Sequence, residues 1–225
     1  MTRELYQTIE AYMLSCMDDS AHDSEHIYRV LYNALEIAKA ASDVNYDILI
    51  AACLLHDIGR KEQIADPTLC HAAVGSEKAC KFLLELGMES TFAEAVKHCI
   101  ATHRFRKNLQ PQTMEAKILF DADKLDVTGA IGIARTLLYK GTVTEPLYTH
   151  RPDGTISDGT GDDAPSFLRE YKFKLEKLYD RFYTQKGAEL AQSRRAIAAA
   201  FYESIYQEVN EGYTAGQDAL KNILK

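Results

Sequence analysis

The chain is predicted to be all-α. Apolar residues return every three or four positions through most of its 225 residues, no stretch carries a convincing two-residue alternation, and 46% of the residues are apolar. A chain of this length suits one large domain, or a core with an appendage, and can bury a substantial hydrophobic core.

The elements follow in order. Leu5, Ile9, Tyr12 and Met13 mark a first helix. Ile27, Val30, Leu31, Ala34, Leu35 and Ala38 share one face of a second, and Asp23 or Ser24 is placed to cap its start through a side-chain oxygen. A third runs from about Tyr46 to Asp57, with Gly59 as its C-terminal stop. "EQIADPTLC" (62–70) reads as a loop. His71 to Leu86 form the next helix, closed by Gly87. Ser90 or Thr91 is placed to cap the following one, which carries Phe92, Val96, Cys99 and Ile100 and is broken by "NLQPQ" (108–112). A helix then starts at Thr113 and runs into "GAIGIARTLLYKG" (129–141), with an interruption near Gly129.

These helices make residues 1–140 the expected core. Residues 141–164 are rich in Gly, Thr, Asp and Pro and have no clear period, so a flexible loop or lid is expected there. From Pro165 two long amphipathic helices are expected, split near Lys186 and Gly187, so that residues 165–225 pack on the core as C-terminal helices.

Charge and composition narrow the functions. The net charge of −7 argues against a nucleic acid polymer as partner, because affinity for one rests on Lys and Arg against phosphates. A small phosphorylated ligand is compatible with it, and "HRFRK" (103–107) is a local basic cluster. The longest apolar runs fall well short of the roughly 18 residues that span a bilayer, and no charged segment precedes an apolar one at the N-terminus. The five cysteines include no C-x-x-C pair and read as reduced, mostly buried thiols. A cytoplasmic protein without a membrane partner is expected.

Polar residues interrupt the apolar pattern at informative places. In "CLLHDIGR" (53–60) an imidazole and a carboxylate, His56 and Asp57, end an apolar helix. His26 lies early in the second helix, Asp121 and Asp123 lie in "FDADKLD" (120–126), and His71, His98 and His103 lie between. Imidazole nitrogen and carboxylate oxygen are ligands for divalent ions. Adjacent helical residues point about 100° apart, so His56 and Asp57 reach one ion only by straddling it at a helix end. A metal there explains two costly polar groups at the end of an apolar helix. His98 and His103, five positions apart, project about 140° apart on a straight helix, which does not aim both at one ion.

In this pattern the chain resembles the HD-domain metal-dependent phosphohydrolase superfamily. The match is to its H…HD…D signature: His26, then His56 and Asp57, then Asp123 in "DADKLD". "AHDSEHIYRV" (21–30), "AACLLHDIG" (51–59), "CIATHRF" (99–105), "EAKILFDADKLDVTGAIGIAR" (115–135) and "LEKLYDRFYTQKGAELAQSRR" (175–195) look like a branch of small, stand-alone bacterial HD proteins. The resemblance implies an HD-domain helical bundle in which His26, His56, Asp57 and Asp123 bind one divalent ion, whether Mn, Mg, Zn, Co or Fe. Asp121 is the competing choice within "DAD". Some superfamily members hold a second ion with extra histidines, and His71 and His103 fall at comparable places; the branch that this chain looks like carries one ion.

The resemblance also implies roles. Asp57 binds the ion and orients the water that attacks phosphorus, and His103 stabilises the transition state. Arg60, His71, His98 and Lys124 are candidates to hold substrate phosphate, Arg60 through its bidentate guanidinium. The expected activity is metal-dependent hydrolysis of a small phosphorylated compound, foremost a nucleotide, with pyrophosphohydrolysis of nucleoside triphosphates leading. The alternative is a non-catalytic nucleotide or metal sensor on the same scaffold. A homodimer is compatible with either.

Overall fold

The computed structural model describes residues 1–17, 24–104 and 109–224. Among them the regular structure is helical: α1 (Arg3–Ser15), α2 (Ser24–Ala38), α3 (Tyr46–Leu55), α4 (Arg60–Ala65), α5 (His71–Glu85), α6 (Ser90–Thr102), α7 (Met114–Leu125), α8 (Gly129–Thr142), α9 (Phe167–Phe173), a 3₁₀ segment (Leu175–Asp180) and α10 (Gln185–Ile223). No described residue lies in a strand, and no helix among them is long and apolar enough to cross a membrane. The expected cap Asp23 and residues 105–107 of the "HRFRK" cluster lie outside the described residues.

The chain divides into two units. The first comprises Met1–Asp126 with Phe182–Gly187. It is built around α3, whose sequence "YDILIAACLL" is apolar on nearly every side, as a helix surrounded by others must be. Leu49, Ala51, Ala52, Cys53, Leu54 and Leu55 are fully buried, and α1, α2, α5, α6 and α7 all pack against α3. Asn45 starts α3 by accepting hydrogen bonds from the backbone N–H groups of Asp47 and Ile48. Thr113 does the same for α7 through the N–H of Ala116.

The turn after α3 departs from expectation. Gly59 does not take the left-handed conformation of a helix stop; its φ is −94°. The chain re-enters a helix at once, so the segment expected as a loop from residue 62 begins inside α4. The absence of a side chain at Gly59 serves packing instead: a Cβ there would meet the His71 carbonyl oxygen at 2.3 Å and the Gly75 nitrogen at 2.6 Å. The start of α5 therefore rests directly on the turn after His56 and Asp57.

The second unit comprises Val127–Arg181 and Ala188–Lys225. The chain breaks before Gly129, at φ +61°, and α8 groups with the later elements. Of the two long helices expected after Pro165, only α10 is long; α9 is a helix of seven residues. The split falls ahead of α10, and Gly187 lies in its first turn. A Cβ at Gly187 would come within 2.7 Å of Asp121 Oδ2 and 2.8 Å of Thr184 Oγ1.

Between α8 and α9 the segment expected to lack fixed contacts is held by its own polar groups. Asp162 accepts from the hydroxyls of Thr149 and Ser157 at 2.6 and 2.7 Å. Asp153 accepts from the N–H and hydroxyl of Thr155, and Asp158 from those of Thr160. His150 pairs with Ile156 across an antiparallel bridge, and Ile156 and Ser157 are buried.

Candidate metal centre

Five helices of the first unit bring their polar side chains to one buried place, and the turn after α3 adds another. The third residue of α2 is His26. His56 caps the C-terminus of α3, and Asp57 comes next in the turn. His71 opens α5, His103 caps the C-terminus of α6, and Asp123 lies in the last turn of α7. His56 and Asp57 therefore straddle the site at a helix end, the arrangement needed for adjacent residues to face one point.

Asp57 is the hinge of the cluster. Its Oδ2 lies 3.7 Å from His26 Nε2 and 3.8 Å from His56 Nε2. Its Oδ1 lies 3.4 Å from His71 Nε2 and 3.7 Å from His103 Nε2. Asp123 Oδ1 stands 3.5 Å from His26 Nε2. Two sets of ligand atoms result, each gathered closely enough for one ion: His26, His56 and Asp123 on one side, and Asp57, His71 and His103 on the other.

The outer nitrogens decide what the inner ones can do. Each Nδ1 sits against an acceptor: the Cys53 carbonyl for His56 at 2.7 Å, the Ile100 carbonyl for His103 at 2.6 Å, Gln63 Oε1 for His71 at 2.6 Å and Asp126 Oδ2 for His26 at 2.7 Å. The Gln63 amide is oriented because its nitrogen donates to the Leu69 carbonyl. Each Nδ1 therefore donates its proton outward, and in the neutral rings each Nε2 turns a lone pair inward.

Electrostatics keep the lone pairs of His56, His71 and His103 free. Burial disfavours the charged imidazole, which lowers His71 to about 2 and His103 to about 3, and lowers His56 as well. Burial pushes the two carboxylates up, but the groups around them outweigh it. His56 and Arg60 hold Asp57 well below the usual carboxylate range, and Lys124 and His26 do so for Asp123.

The cluster consequently gathers two carboxylates and four imidazole lone pairs with few protons to share. His56 Nε2 and Asp57 Oδ1 are fully buried with no hydrogen-bond partner in the protein. His71 Nε2 faces His103 Nε2 across 3.3 Å, lone pair toward lone pair. Unpaired buried acceptors of this kind are costly unless a cation meets them, and oxygen with imidazole nitrogen suits a divalent ion. The residues present fit a metal.

The remaining expected residues fall outside this inner shell. The Lys124 Nζ lies 2.7 Å from Asp123 Oδ2, and Arg60 Nε lies 3.0 Å from Asp57 Oδ2. Arg60 opens α4, where the dipole gives a cation no support, so its partner is the carboxylate. His98 joins neither set of ligands; its Nε2 accepts from the backbone N–H of Gln112 at 3.3 Å. Asp121 does not face the cluster. It accepts from the Tyr183 and Thr184 N–H groups at 2.8 and 2.7 Å and from the Thr184 hydroxyl at 2.6 Å, so it binds the chain entering α10.

Sequence reasoning missed the outer partners Asp126 and Gln63, and the close approach of Gly75 to Gly59. Asp126 carried a signal, since it lies one turn after Asp123 at the end of the same helix. Gln63 had none, because its contact with His71 exists only once α4 and α5 fold against each other.

Comparison with known proteins shows the family of the chain. The HD domain family matches residues 23–128, a span that contains every residue of the cluster. The structure of an HD-superfamily hydrolase from Bacillus thuringiensis is 31% identical, covers 92% of this chain and 98% of its own, and superposes with a TM-score of 0.68. A protein from Lactobacillus plantarum, 26% identical, superposes at 0.73 over 96% of this chain and 99% of its own. Bacillus subtilis YpgQ in complex with ADP, also 26% identical, superposes at 0.68 over 91% and 97%. With its ligand cluster inside the matched span and a hydrolase of this kind alike along nearly its whole length, the chain belongs to the HD-domain superfamily and is a metal-dependent phosphohydrolase.

Proposed function

We propose that this chain hydrolyses a phosphate ester or anhydride of a small nucleotide, with nucleoside triphosphates as the leading substrates. His26, His56, Asp57 and Asp123 hold the essential ion. The observation that carries the proposal is the convergence of four inward lone pairs on two carboxylates, with buried atoms that nothing in the protein satisfies. A sensor has no need for so complete a set. The complex of the similar YpgQ with ADP supports a nucleotide.

A divalent ion bound there supplies Lewis acidity, which acidifies water and offsets charge on phosphoryl oxygens. The chain's own groups do the rest. Asp57 stays ionised between the two sets of ligands and orients the water. Lys124 and Arg60, with side chains 17% and 33% exposed, stand behind the two carboxylates and can reach phosphate oxygens.

The resemblance favours one ion, with His98 or His103 contacting substrate phosphate. The 3.3 Å approach of His71 Nε2 to His103 Nε2, both beside Asp57 Oδ1, favours a second ion in that place. Incubating the protein with a panel of nucleotides and phosphomonoesters, with Mn, Mg, Zn, Co or Fe, tests the activity. Release of phosphate or pyrophosphate from a nucleotide, absent in Asp57→Ala, is the expected result. Turnover of phosphomonoesters alone, or none under any metal, would sink the nucleotide reading.

A further inference from the structure

We propose that Asp126 and Arg29 are positioning residues for the metal centre: together they fix the tautomer and ring orientation of His26. The inference rests on the metal-binding reading and adds two residues to it.

His26 differs from the other three histidines in how its outer nitrogen is held. His56 and His103 donate to carbonyls three residues earlier in their own helices, and His71 donates to a neutral amide. Those first two rings are oriented by the helices they end. His26 is the third residue of α2, and its outer nitrogen is not held by a carbonyl of its own helix. Its acceptor comes from the end of α7, 100 residues away, and is a carboxylate: Asp126 Oδ2, at 2.7 Å.

That carboxylate is itself held. Asp126 is 1% exposed and caps the C-terminus of α7 through its backbone N–H. Arg29, one turn after His26 on α2, donates from Nε to Asp126 Oδ1 at 2.7 Å and from Nη2 to Oδ2 at 3.1 Å. Three N–H donors, two of them from one planar guanidinium, thus meet two carboxylate oxygens. Only a carboxylate can accept all three. An asparagine would turn an NH₂ toward at least one of these donors, and a lysine at position 29 could not supply the two-point contact.

The arrangement leaves the proton on His26 Nδ1 and the lone pair on Nε2, 3.5 Å from Asp123 Oδ1 and 3.7 Å from Asp57 Oδ2. It also joins α7 to α2 at the level of the cluster, so that Asp123 and His26 approach one ion from two helices in fixed register. An outer-shell partner of this kind typically accounts for about 10- to 100-fold in metal affinity.

The test uses the whole chain. Mn²⁺ affinity is measured by calorimetry on chelator-stripped wild type, Asp126→Asn, Asp126→Ala, Arg29→Lys and Arg29→Ala. In parallel, ¹⁵N spectra of the histidine rings are taken without metal, with His26→Ala to assign the signal. We expect affinity to fall about 10- to 100-fold in both Asp126 variants and by less in Arg29→Lys than in Arg29→Ala. We expect His26 to be protonated on Nδ1 in wild type and to lose that preference in Asp126→Ala. Melting of the stripped protein at the wild-type temperature shows that the tautomer changes within an intact fold; a variant that melts early would count against a positioning role. Affinities within about twofold of wild type, or an unchanged His26 tautomer in Asp126→Ala, would overturn the proposal. A wild type that binds no divalent ion would instead refute the metal-binding reading, and this role with it.

Discussion

The buried cluster of the first unit and the segment between α8 and α9 are both rich in aspartate, yet they use it oppositely. In the second unit, Asp153, Asp158 and Asp162 spend their oxygens on threonine and serine hydroxyls and N–H groups close by in sequence. Such turns satisfy the backbone and need no ligand. In the first unit, Asp57 receives its neighbours from α2, α3, α5 and α6, and its Oδ1 has no hydrogen bond in the protein. Richness in polar residues therefore does not mark a site. What marks it is polar atoms that are buried, aimed inward and unmatched.

The contrast is broken most severely at Asp57. Asp57→Ala removes the one carboxylate whose two oxygens lie near histidines of both sets, and turnover should fall by more than about 10³-fold with loss of all tightly bound metal. His56→Ala should do nearly the same while the helical circular dichroism persists. Wild-type metal content in either variant would mean that the ligands are misassigned.

Next in size are His71 and His103. If Asp57 Oδ1 serves a second ion, elemental analysis should find two equivalents in the wild type and one in His71→Ala or His103→Ala. Rates should fall about 10²- to 10³-fold. A single equivalent in all three proteins, with a modest change for His71→Ala, would restore the one-ion arrangement.

A subtler change acts through packing alone. Gly59→Ala places a methyl group where the His71 carbonyl and the Gly75 nitrogen now lie. Overpacking of this kind typically costs about 1–3 kcal/mol, and α5 must shift with His71 at its tip. Denaturant unfolding should register the loss, and affinity on the His71 side should weaken before that of the His26 side. Equal weakening on both sides would show that the contact supports the whole fold rather than this helix.

The smallest effect is expected in the second unit. Asp162→Asn keeps one acceptor for the hydroxyls of Thr149 and Ser157 and should cost about 0.5–1.5 kcal/mol. Metal content should be unchanged. A lost ion in this variant would erase the distinction between the two regions.

One helix, α7, shows how far sequence alone reaches. The heptapeptide "FDADKLD" at its end holds three aspartates, and the resemblance to HD proteins favours Asp123 for the metal and leaves Asp121 to orient a ligand or cap locally. The structure places Asp123 at the histidines and Asp121 on the backbone N–H groups of Tyr183 and Thr184. Helical periodicity can only say that the two point in different directions. Which direction faces the histidines depends on where residues 183 and 184 return, 62 and 63 positions later in the chain than Asp121.

The sequence by itself determined most of the helices, the apolar character of α3 and the placing of His56 and Asp57 at its end, because periodicity is a local property, while the H…HD…D set came from the resemblance. It misjudged Gly59, since a glycine after an apolar helix reads as a stop, while the space its missing side chain leaves to α5 is visible only in three dimensions. The tertiary structure alone decided that His71 and His103 share Asp57 while His98 turns to Gln112. It also decided that Asp126 reaches back to His26. These contacts are set by how side chains of different helices meet, between residues mostly far apart in the chain, and no local pattern encodes them.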